Sequence, residues 1–329
     1  MSDLPARVTI NEEGPREGFQ IEPGPISTTR KIELIDALSA TGLKTIQVAS
    51  FVSPKRVPGW ADAEAVVAGF QPTPGVNYTA LWLNERGLER AIAAAGKDRA
   101  GRLALAGGLA LAGGISTTTS ETFMRKNTNR GFAENEQVQR GQLALYRKHG
   151  IPIKGASVMT AFGCNYEGEI STERAVAAVD SLMRIAADEG VTLPVISLAD
   201  TMGWATPLAI QRVVGAVRER WPGARVGLHL HDTRGLGLAN VLAGLQMGVD
   251  YFDASVAGLG GCPFAKLSGA AGNVCTEDLV FMCEEMGVDT GIALEKLIEA
   301  ARLAEDIVGH PLPGKVMRGG SLAELRAAG

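Results

Sequence analysis

The sequence predicts an α/β fold of the (βα)8 TIM-barrel class with additional C-terminal helices. Eight short runs rich in apolar and β-branched residues alternate with longer amphipathic runs along the 329 residues. This alternation is typical of parallel βα units joined by right-handed crossovers. The residues suited to chemistry follow the ends of the short runs, where barrels place their active sites. A doubly wound open sheet is the alternative that this pattern leaves open.

Strands and helices are predicted from the spacing of their apolar residues. The predicted strands are residues 7–12, 45–50, 77–82, part of 103–117, 153–160, 194–199, 225–231 and 251–256. The predicted helices between them are residues 29–40, 61–69, 85–95, 134–149, 172–189, 207–220 and 235–247. Two more helices are expected after the eighth strand, at residues 276–285 and 293–308.

The segment 172–189 illustrates a predicted helix. Ser171 precedes it as a plausible N-cap, because a serine side chain accepts a hydrogen bond from the first turn. Helical spacing places one apolar stripe toward a core, formed by Val176, Val179, Leu182 and Ile185. No proline- and serine-rich linker divides the chain, so we expect one domain over residues 1–329, with the barrel at about 7–290 and the C-terminal helices at about 291–329.

Composition excludes several classes of protein. Hydrophobic residues make up 46% and charged residues 21%, which is typical of a globular chain rather than a disordered or fibrous one. Acidic residues outnumber basic residues by 36 to 32 without a basic block, so nucleic acid is not expected as a partner. The four cysteines match no zinc ribbon or disulfide framework. With no recognisable signal peptide or membrane-spanning run, we expect a cytoplasmic protein without a membrane partner.

Two histidines, His229 and His231, lie at the end of the seventh predicted strand. Because side chains alternate along a strand, both imidazoles are expected on the same face. Two imidazoles at the rim of a barrel form half of a site for a transition metal or, with oxygen ligands, for Mg²⁺ or Mn²⁺. The alternative is a pair of hydrogen-bonded histidines inside the barrel.

Two predicted loops carry further candidates. Arg16 and Glu17 follow the first strand on a loop shaped by glycine and proline, where they could stabilise an oxyanion and ligate a metal. The alternative there is a solvated turn with a surface ion pair. After the eighth strand, a glycine-rich loop carries Cys262 as a candidate acid/base, and Asn273 offers a carbonyl ligand for a hard metal. Their alternatives are a packed free cysteine and a turn-forming asparagine.

The chain contains seven longer motifs, mostly at the ends of its predicted strands and in the loops that follow. They are GPREGFQ at 14–20, ASFVSPK at 49–55, AFGCNYEG at 161–168, ISLADTMG at 196–203, HLHDT at 229–233, SVAGLGGCP at 255–263, and GN at 272–273 with TEDLV at 276–280. Together they resemble the motifs of the 3-hydroxy-3-methylglutaryl-CoA lyase branch of the DRE-TIM metallolyases. The motifs follow the family order over most of the chain. The GLGGCP and SFVSPK runs are far more specific than the two histidines alone.

The resemblance implies a metal-dependent carbon–carbon lyase. A divalent cation, Mg²⁺ or Mn²⁺, would be held by Glu17, His229, His231 and Asn273. The implied reaction is the cleavage of a 3-hydroxyacyl-CoA into acetyl-CoA and a keto acid such as acetoacetate. A homodimer or larger homo-oligomer is also implied.

The resemblance assigns roles to six further residues. Arg16 would stabilise the enolate oxygen, Asp200 would assist proton transfer from the substrate hydroxyl, and Cys262 would be the acid/base of the loop. The implied substrate-binding residues are Gln47, Gln20 and Ser50.

Three features depart from the usual pattern of the family. Glu17 stands where the family usually has aspartate, so the carboxylate is carried on one more methylene. Gln47 stands where it usually has glutamate, which removes one charge near the substrate. The loop between Cys262 and Asn273 is longer than usual. These differences bear on substrate identity more than on reaction type, and a sibling substrate such as citramalyl-CoA is the leading alternative.

Three other functions remain open. Two belong to the same superfamily: a Claisen-type synthase, which usually carries an extra C-terminal regulatory region not expected here, and a pyruvate-type aldolase without CoA. The third is a non-catalytic metal-binding barrel. A scaffold would need neither Arg16 nor Cys262, so their presence argues against it.

Overall fold

The structure, a computed structural model, describes residues 4–96, 108–261, 271–323 and 326. Most of these residues belong to two compact units. The central unit is Ala112–Phe252. The terminal unit consists of the described parts of Ala6–Leu111, Asp253–Gly261 and Ala271–Gly329.

The N-terminal part of the terminal unit has three parallel strands. They are β1 (Thr9–Glu12), β2 (Thr45–Ser50) and β3 (Asn77–Leu81), and β2 lies between the other two. The register places Asn11 opposite Thr45 and Gln47 opposite Thr79. The helices of this part are α1 (Gly14–Ile21), α2 (Thr28–Ser39), α3 (Ala63–Gly69) and α4 (Glu85–Ala95).

The central unit continues the alternation of strands and helices. Its strands, in spatial order, are β4 (Gly113–Thr118), β5 (Ile153–Met159), β8 (Val195–Ala199) and β9 (Arg225–His229), and they are parallel. A short antiparallel hairpin after β5 is formed by β6 (Gly163–Cys164) and β7 (Gly168–Glu169). The helices are α5 (Glu121–Thr128), α6 (Phe132–His149), α7 (Thr172–Asp188), α8 (Pro207–Arg220) and α9 (Gly237–Gln246).

The eighth strand is β10 (Tyr251–Ala254). Three helices then complete the terminal unit: α10 (Thr276–Glu285), α11 (Leu294–Val308) and α12 (Val316–Gly319). Eight parallel strands with intervening helices, followed by C-terminal helices, confirm the predicted (βα)8 class. Among the described residues, the structure has no helix of the length and hydropathy needed to cross a bilayer.

Each unit has its own apolar core. In the central unit, Val158, Leu198 and Leu228 are fully buried on successive strands. Ser171 caps α7 as predicted, because its side chain accepts a hydrogen bond from the backbone N–H of Arg174. Three of the four residues of the predicted apolar stripe on α7 are buried, and Val176 is only partly buried. In the terminal unit, α2 and α3 pack against β2, so that Ile46 and Val48 are fully buried.

The sequence mispredicted the segment after β1, which is a helix rather than a loop. Residues 14–21 form α1, and Pro15 lies in its first turn, where its missing N–H costs no hydrogen bond. The backbone N–H of Gly14 donates to the Glu12 side chain at 2.7 Å, which satisfies one of the unpaired donors at this helix end. Arg16 and Glu17 therefore stand on a helix with a fixed backbone.

Other boundaries also differ from the prediction. The seventh strand ends at His229, so His231 lies beyond it. The last strand ends at Ala254 and is followed by a 3-10 turn, Val256–Gly258. Helix α5 and the β6–β7 hairpin were not predicted. Within the predicted strand region 103–117, residues 103–107 lie outside the described residues, and β4 begins at Gly113.

Two buried carboxyl groups join α1, the 3-10 turn and α10 inside the terminal unit. Glu12 accepts hydrogen bonds from the backbone N–H of Val256 at 2.9 Å and from the Thr276 hydroxyl at 2.5 Å. Glu277 accepts from the backbone N–H of Ala257 at 2.9 Å. Burial raises the pKa of Glu12 to about 7 and that of Glu277 to about 8, against the opposing effect of these hydrogen bonds.

These pKa values predict that the free energy of unfolding falls between about pH 4.5 and pH 8. The folded protein keeps the proton of Glu277 to about pH 8, whereas an unfolded glutamate releases it near 4.5. Each such group lowers the free energy of unfolding by up to about 1.4 kcal/mol per pH unit, because the unfolded chain binds fewer protons there. Urea unfolding of the Glu277→Gln variant should show a weaker fall than the wild-type protein.

The Glu299→Gln variant is the matched control, since it makes the same charge change on an exposed position of α11. Its pH dependence should equal that of the wild-type protein. If Glu277→Gln also keeps the full wild-type dependence, then Glu277 is not protonated in the folded protein and this account of the buried pair is wrong.

Candidate active site

The guanidinium of Arg16, near the start of α1, has a close side-chain contact at each of its three nitrogen atoms. Its Nη2 donates to Glu13 Oε2 at 2.7 Å, and its Nη1 lies 3.2 Å from Glu17 Oε2. Its Nε donates to the side-chain oxygen of Gln47 on β2. The side chain of Arg16 is only 12% exposed. Two carboxylates and one amide oxygen thus surround a largely buried positive charge.

Electrostatics keep this cation charged. Burial lowers the pKa of Arg16, but the carboxylates of Glu13, Glu17 and Asp253 outweigh that effect, so its pKa is raised above the ordinary value. A permanently charged guanidinium with a fixed orientation can stabilise an oxyanion as it develops.

Glu17 and Asn273 both lie close to Gly260 in the terminal unit. A Cβ atom at position 260 would come within 2.9 Å of Glu17 Cγ and 2.8 Å of Asn273 Nδ2. Gly260 also has a φ of +91°, a conformation that favours glycine. The structure therefore brings these two predicted ligands together, and glycine makes room for the longer side chain of Glu17.

The orientation of Asn273 suits a metal ligand. Its Nδ2 donates to the backbone oxygen of Leu259 at 3.1 Å, which assigns the amide nitrogen to that side. The other polar atom of this side chain is the amide oxygen, a donor type that a hard cation prefers. The residue is nearly completely buried.

The structure brings His229, His231 and Asp200 together in the central unit. The two imidazole rings lie 5.1 Å apart between centroids, at an interplanar angle of 78°. The backbone N–H of Asp200 donates to the backbone oxygen of His229 at 2.8 Å. The predicted pairing of the two histidines is therefore present, even though His231 lies beyond the end of β9.

Asp200 is a fully buried carboxyl group with one constrained oxygen. Its Oδ1 accepts hydrogen bonds from the backbone N–H groups of Trp204 at 2.7 Å and Ala205 at 3.0 Å. Its Oδ2 has no hydrogen-bond partner among the described residues. Burial raises the pKa of Asp200, while His231 and the two backbone N–H groups oppose the shift. A carboxyl group of this kind can exchange a proton with a substrate hydroxyl.

The three predicted substrate-binding residues all lie in the terminal unit. Gln47 and Ser50 are on β2, and Gln20 is on α1. Ser50 Oγ and Gln20 Oε1 are buried without a hydrogen-bond partner among the described residues, as is Thr79 Oγ1 on β3. Buried polar atoms of this kind indicate a place for polar ligand atoms.

Sequence reasoning assigned no role to Glu13 or Thr79. Glu13 stands next to the predicted loop, and an acidic residue at such a position does not by itself indicate a function. Thr79 could have been found from strand pairing, because it lies opposite Gln47 in the register of β2 and β3. Cys262, the predicted acid/base, lies outside the described residues.

The donor sets of both units fit a divalent cation. Two imidazoles lie in the central unit, and a carboxylate and an amide oxygen in the terminal unit. Nitrogen and oxygen donors of this mixture suit Mg²⁺, Mn²⁺ and related ions.

Comparison with known proteins identifies the family. The family model described as HMGL-like matches residues 7–304. The hydroxymethylglutaryl-CoA lyase YngG of Bacillus subtilis is 40% identical over 311 residues, which cover 94% of this chain and 96% of that protein.

Two solved structures match this chain over nearly its whole length. The crystal structure of the HMG-CoA lyase of Bacillus subtilis has a TM-score of 0.85 and 38% identity, and the match covers 97% of this chain and 99% of that one. An HMG-CoA lyase from Acinetobacter baumannii, in complex with coenzyme A and 3-methylmalate, has a TM-score of 0.83 and 36% identity, with 98% of each chain covered. The (βα)8 class and the resemblance predicted from the motifs are both confirmed, and the chain belongs to the HMGL-like family of metal-dependent carbon–carbon lyases.

Proposed function

We propose that this protein cleaves 3-hydroxy-3-methylglutaryl-CoA, or a close 3-hydroxyacyl-CoA analogue, into acetyl-CoA and a keto acid such as acetoacetate. The observation that carries the proposal is the buried guanidinium of Arg16 beside Glu17, which stands next to Asn273. Similarity to a lyase in complex with coenzyme A supports an acyl-CoA substrate.

We further propose that Glu17, His229, His231 and Asn273 hold one Mg²⁺ or Mn²⁺ ion. When bound, such a cation lowers the pKa of a coordinated hydroxyl group and orients the substrate. The extra methylene of Glu17 is compatible with this role because Gly260 leaves space beside it.

The chemical steps then fall to three side chains. Asp200 accepts the proton of the C3 hydroxyl group, and the electrons of the breaking O–H bond form the carbonyl of the keto acid. The electrons of the C2–C3 bond pass to the thioester, whose enolate oxygen is stabilised by Arg16. Protonation at C2, with Cys262 as the acid, completes acetyl-CoA. Gln47, Gln20 and Ser50 bind the acyl group.

A sibling substrate such as citramalyl-CoA is the second candidate. The observation that favours it is the contact between Arg16 and Gln47. A neutral amide here gives the acyl pocket less negative charge than a glutamate would. A Claisen-type synthase or an aldolase of the superfamily ranks below it, and a non-catalytic metal-binding barrel ranks last. A single domain over residues 1–329, a homodimer or larger homo-oligomer and a cytoplasmic location stay predictions from the sequence.

The proposed reaction predicts acetyl-CoA release from a panel of 3-hydroxyacyl-CoA thioesters in the presence of Mg²⁺ or Mn²⁺. A coupled assay for acetyl-CoA measures it, with free hydroxy acids run alongside to detect an aldolase that needs no CoA. Incubation with acetyl-CoA and 2-keto acids detects a synthase. Absence of acetyl-CoA release from every thioester would contradict the proposal.

The proposed ligand set predicts that His231→Ala weakens Mn²⁺ binding by at least about tenfold, because an imidazole donor is lost. Isothermal titration of metal-free protein measures the affinity. His149→Ala is the matched control, since His149 lies in the last turn of α6. Equal affinities for His231→Ala and the wild-type protein would remove His231 from the ligand set.

The role of Arg16 predicts that Arg16→Lys lowers kcat by about a hundredfold or more, because lysine keeps the charge but loses the planar fork. Steady-state kinetics with the best thioester of the panel measures the change. Arg86→Lys, on an exposed position of α4, should keep wild-type kinetics. If the kcat of Arg16→Lys is close to that of Arg86→Lys, Arg16 does not have the proposed role in stabilising the enolate.

A further inference from the structure

Glu13 is the carboxylate that contacts Arg16 most closely without a role in the proposed metal site. Its Oε2 accepts from Arg16 Nη2 at 2.7 Å, and its side chain is only 9% exposed. An ion pair with both partners this far from solvent is screened far less than a surface pair. The pair joins the residue before α1 to a residue in its first turn.

Glu13 is itself held from two directions. Its backbone N–H donates to the backbone oxygen of Ala254 at 2.9 Å, which ties it to the end of β10. Its other carboxylate oxygen, Oε1, accepts from Asn11 Nδ2 at 3.0 Å. The same Asn11 nitrogen donates to Asp253 Oδ1 at 2.9 Å. The carboxylate of Glu13 therefore has a fixed position relative to the strands that carry it.

The Nε atom of Arg16 meets a neutral group. Because a guanidinium can only donate, the hydrogen bond from Arg16 Nε fixes the Gln47 amide with its oxygen toward Arg16. Gln47 thus supplies an acceptor without a charge. Glu17 also lies near Arg16, but as a ligand of the proposed cation it would share its negative charge between the cation and Arg16.

We propose that Glu13 is a positioning residue, which holds the Arg16 guanidinium in the orientation that stabilises the enolate, while Gln47 provides only a neutral contact at Nε. This inference rests on the proposed function. Arginine has several rotatable bonds, and a second hydrogen-bonded anchor reduces the orientations open to it. Glu13 acts through Arg16 and does not touch the substrate.

Replacement of Glu13 by glutamine tests the proposal, because it keeps the shape and removes the charge. The expected result is a fall in kcat of about tenfold or more, with little change in KM and in Mn²⁺ affinity. In the double variant Glu13→Gln/Gln47→Glu, a carboxylate faces Arg16 from β2 instead, and most of the lost kcat should return. A purely structural role for Glu13 would not be rescued by a carboxylate on β2.

A second readout does not depend on activity. The Nε–Hε signal of Arg16 in ¹⁵N NMR, assigned by its absence in Arg16→Lys, reports the environment of the guanidinium. It should shift or broaden in Glu13→Gln and stay unchanged in Glu89→Gln, which makes the same charge change on an exposed position of α4. If Glu13→Gln fails to fold, Glu13→Asp keeps the charge with a shorter reach and should give a smaller change of the same kind.

The outcomes separate this inference from the proposed function. If the wild-type protein cleaves no thioester, the proposed function fails, and the NMR signal alone then decides whether Glu13 positions Arg16. An Arg16 signal in Glu13→Gln equal to that of the Glu89→Gln control overturns the inference. So does a wild-type kcat in Glu13→Gln.

Discussion

The buried ion pair between Arg16 and its carboxylate neighbours is the constraint on which the terminal half of the site depends. A guanidinium that is only 12% exposed needs compensating charge, and Glu13 and Glu17 supply it from the same helical region. Because Arg16 and Glu17 are adjacent, any movement of α1 displaces the oxyanion contact and the proposed metal ligand together. The position of α1 is therefore the property that the surrounding terminal unit has to maintain.

Close packing maintains that position. Gly14 allows α1 to approach the turn after β10, since a Cβ atom there would come within 2.6 Å of Glu12 Oε1 and 2.9 Å of Ser255 Oγ. Trp60 donates from its ring nitrogen to the backbone oxygen of Arg16 at 2.8 Å. The carboxyl groups of Glu12 and Glu277 tie the same turn to α10. These buried hydrogen bonds form a polar network that fixes the position of α1. Burial opposes the ionisation of its two carboxyl groups, Glu12 and Glu277.

The sequence predicted the alternation of strands and helices well because apolar spacing reports the side of each element that is buried. The motifs also identified the residues that the structure groups in each unit, such as Asp200 with His229 and His231. The helix at residues 14–21 was missed because glycine and proline at its start indicate a loop, whereas here Pro15 lies in the first turn of a helix and the N–H of Gly14 finds a partner in Glu12. Glu13 was missed because its contact with Arg16, three residues later, depends on the helix α1 that the sequence did not predict.

The proposal that most needs testing is that Glu17, His229, His231 and Asn273 hold one divalent cation. Diffraction from a crystal grown with Mn²⁺, recorded near the manganese absorption edge, tests it most directly, because the anomalous signal locates the ion without reference to activity. We expect a single strong peak at about 2.1 Å from donor atoms of all four side chains. A manganese peak bound by only one of the two ligand pairs, or by other residues, would contradict the claim.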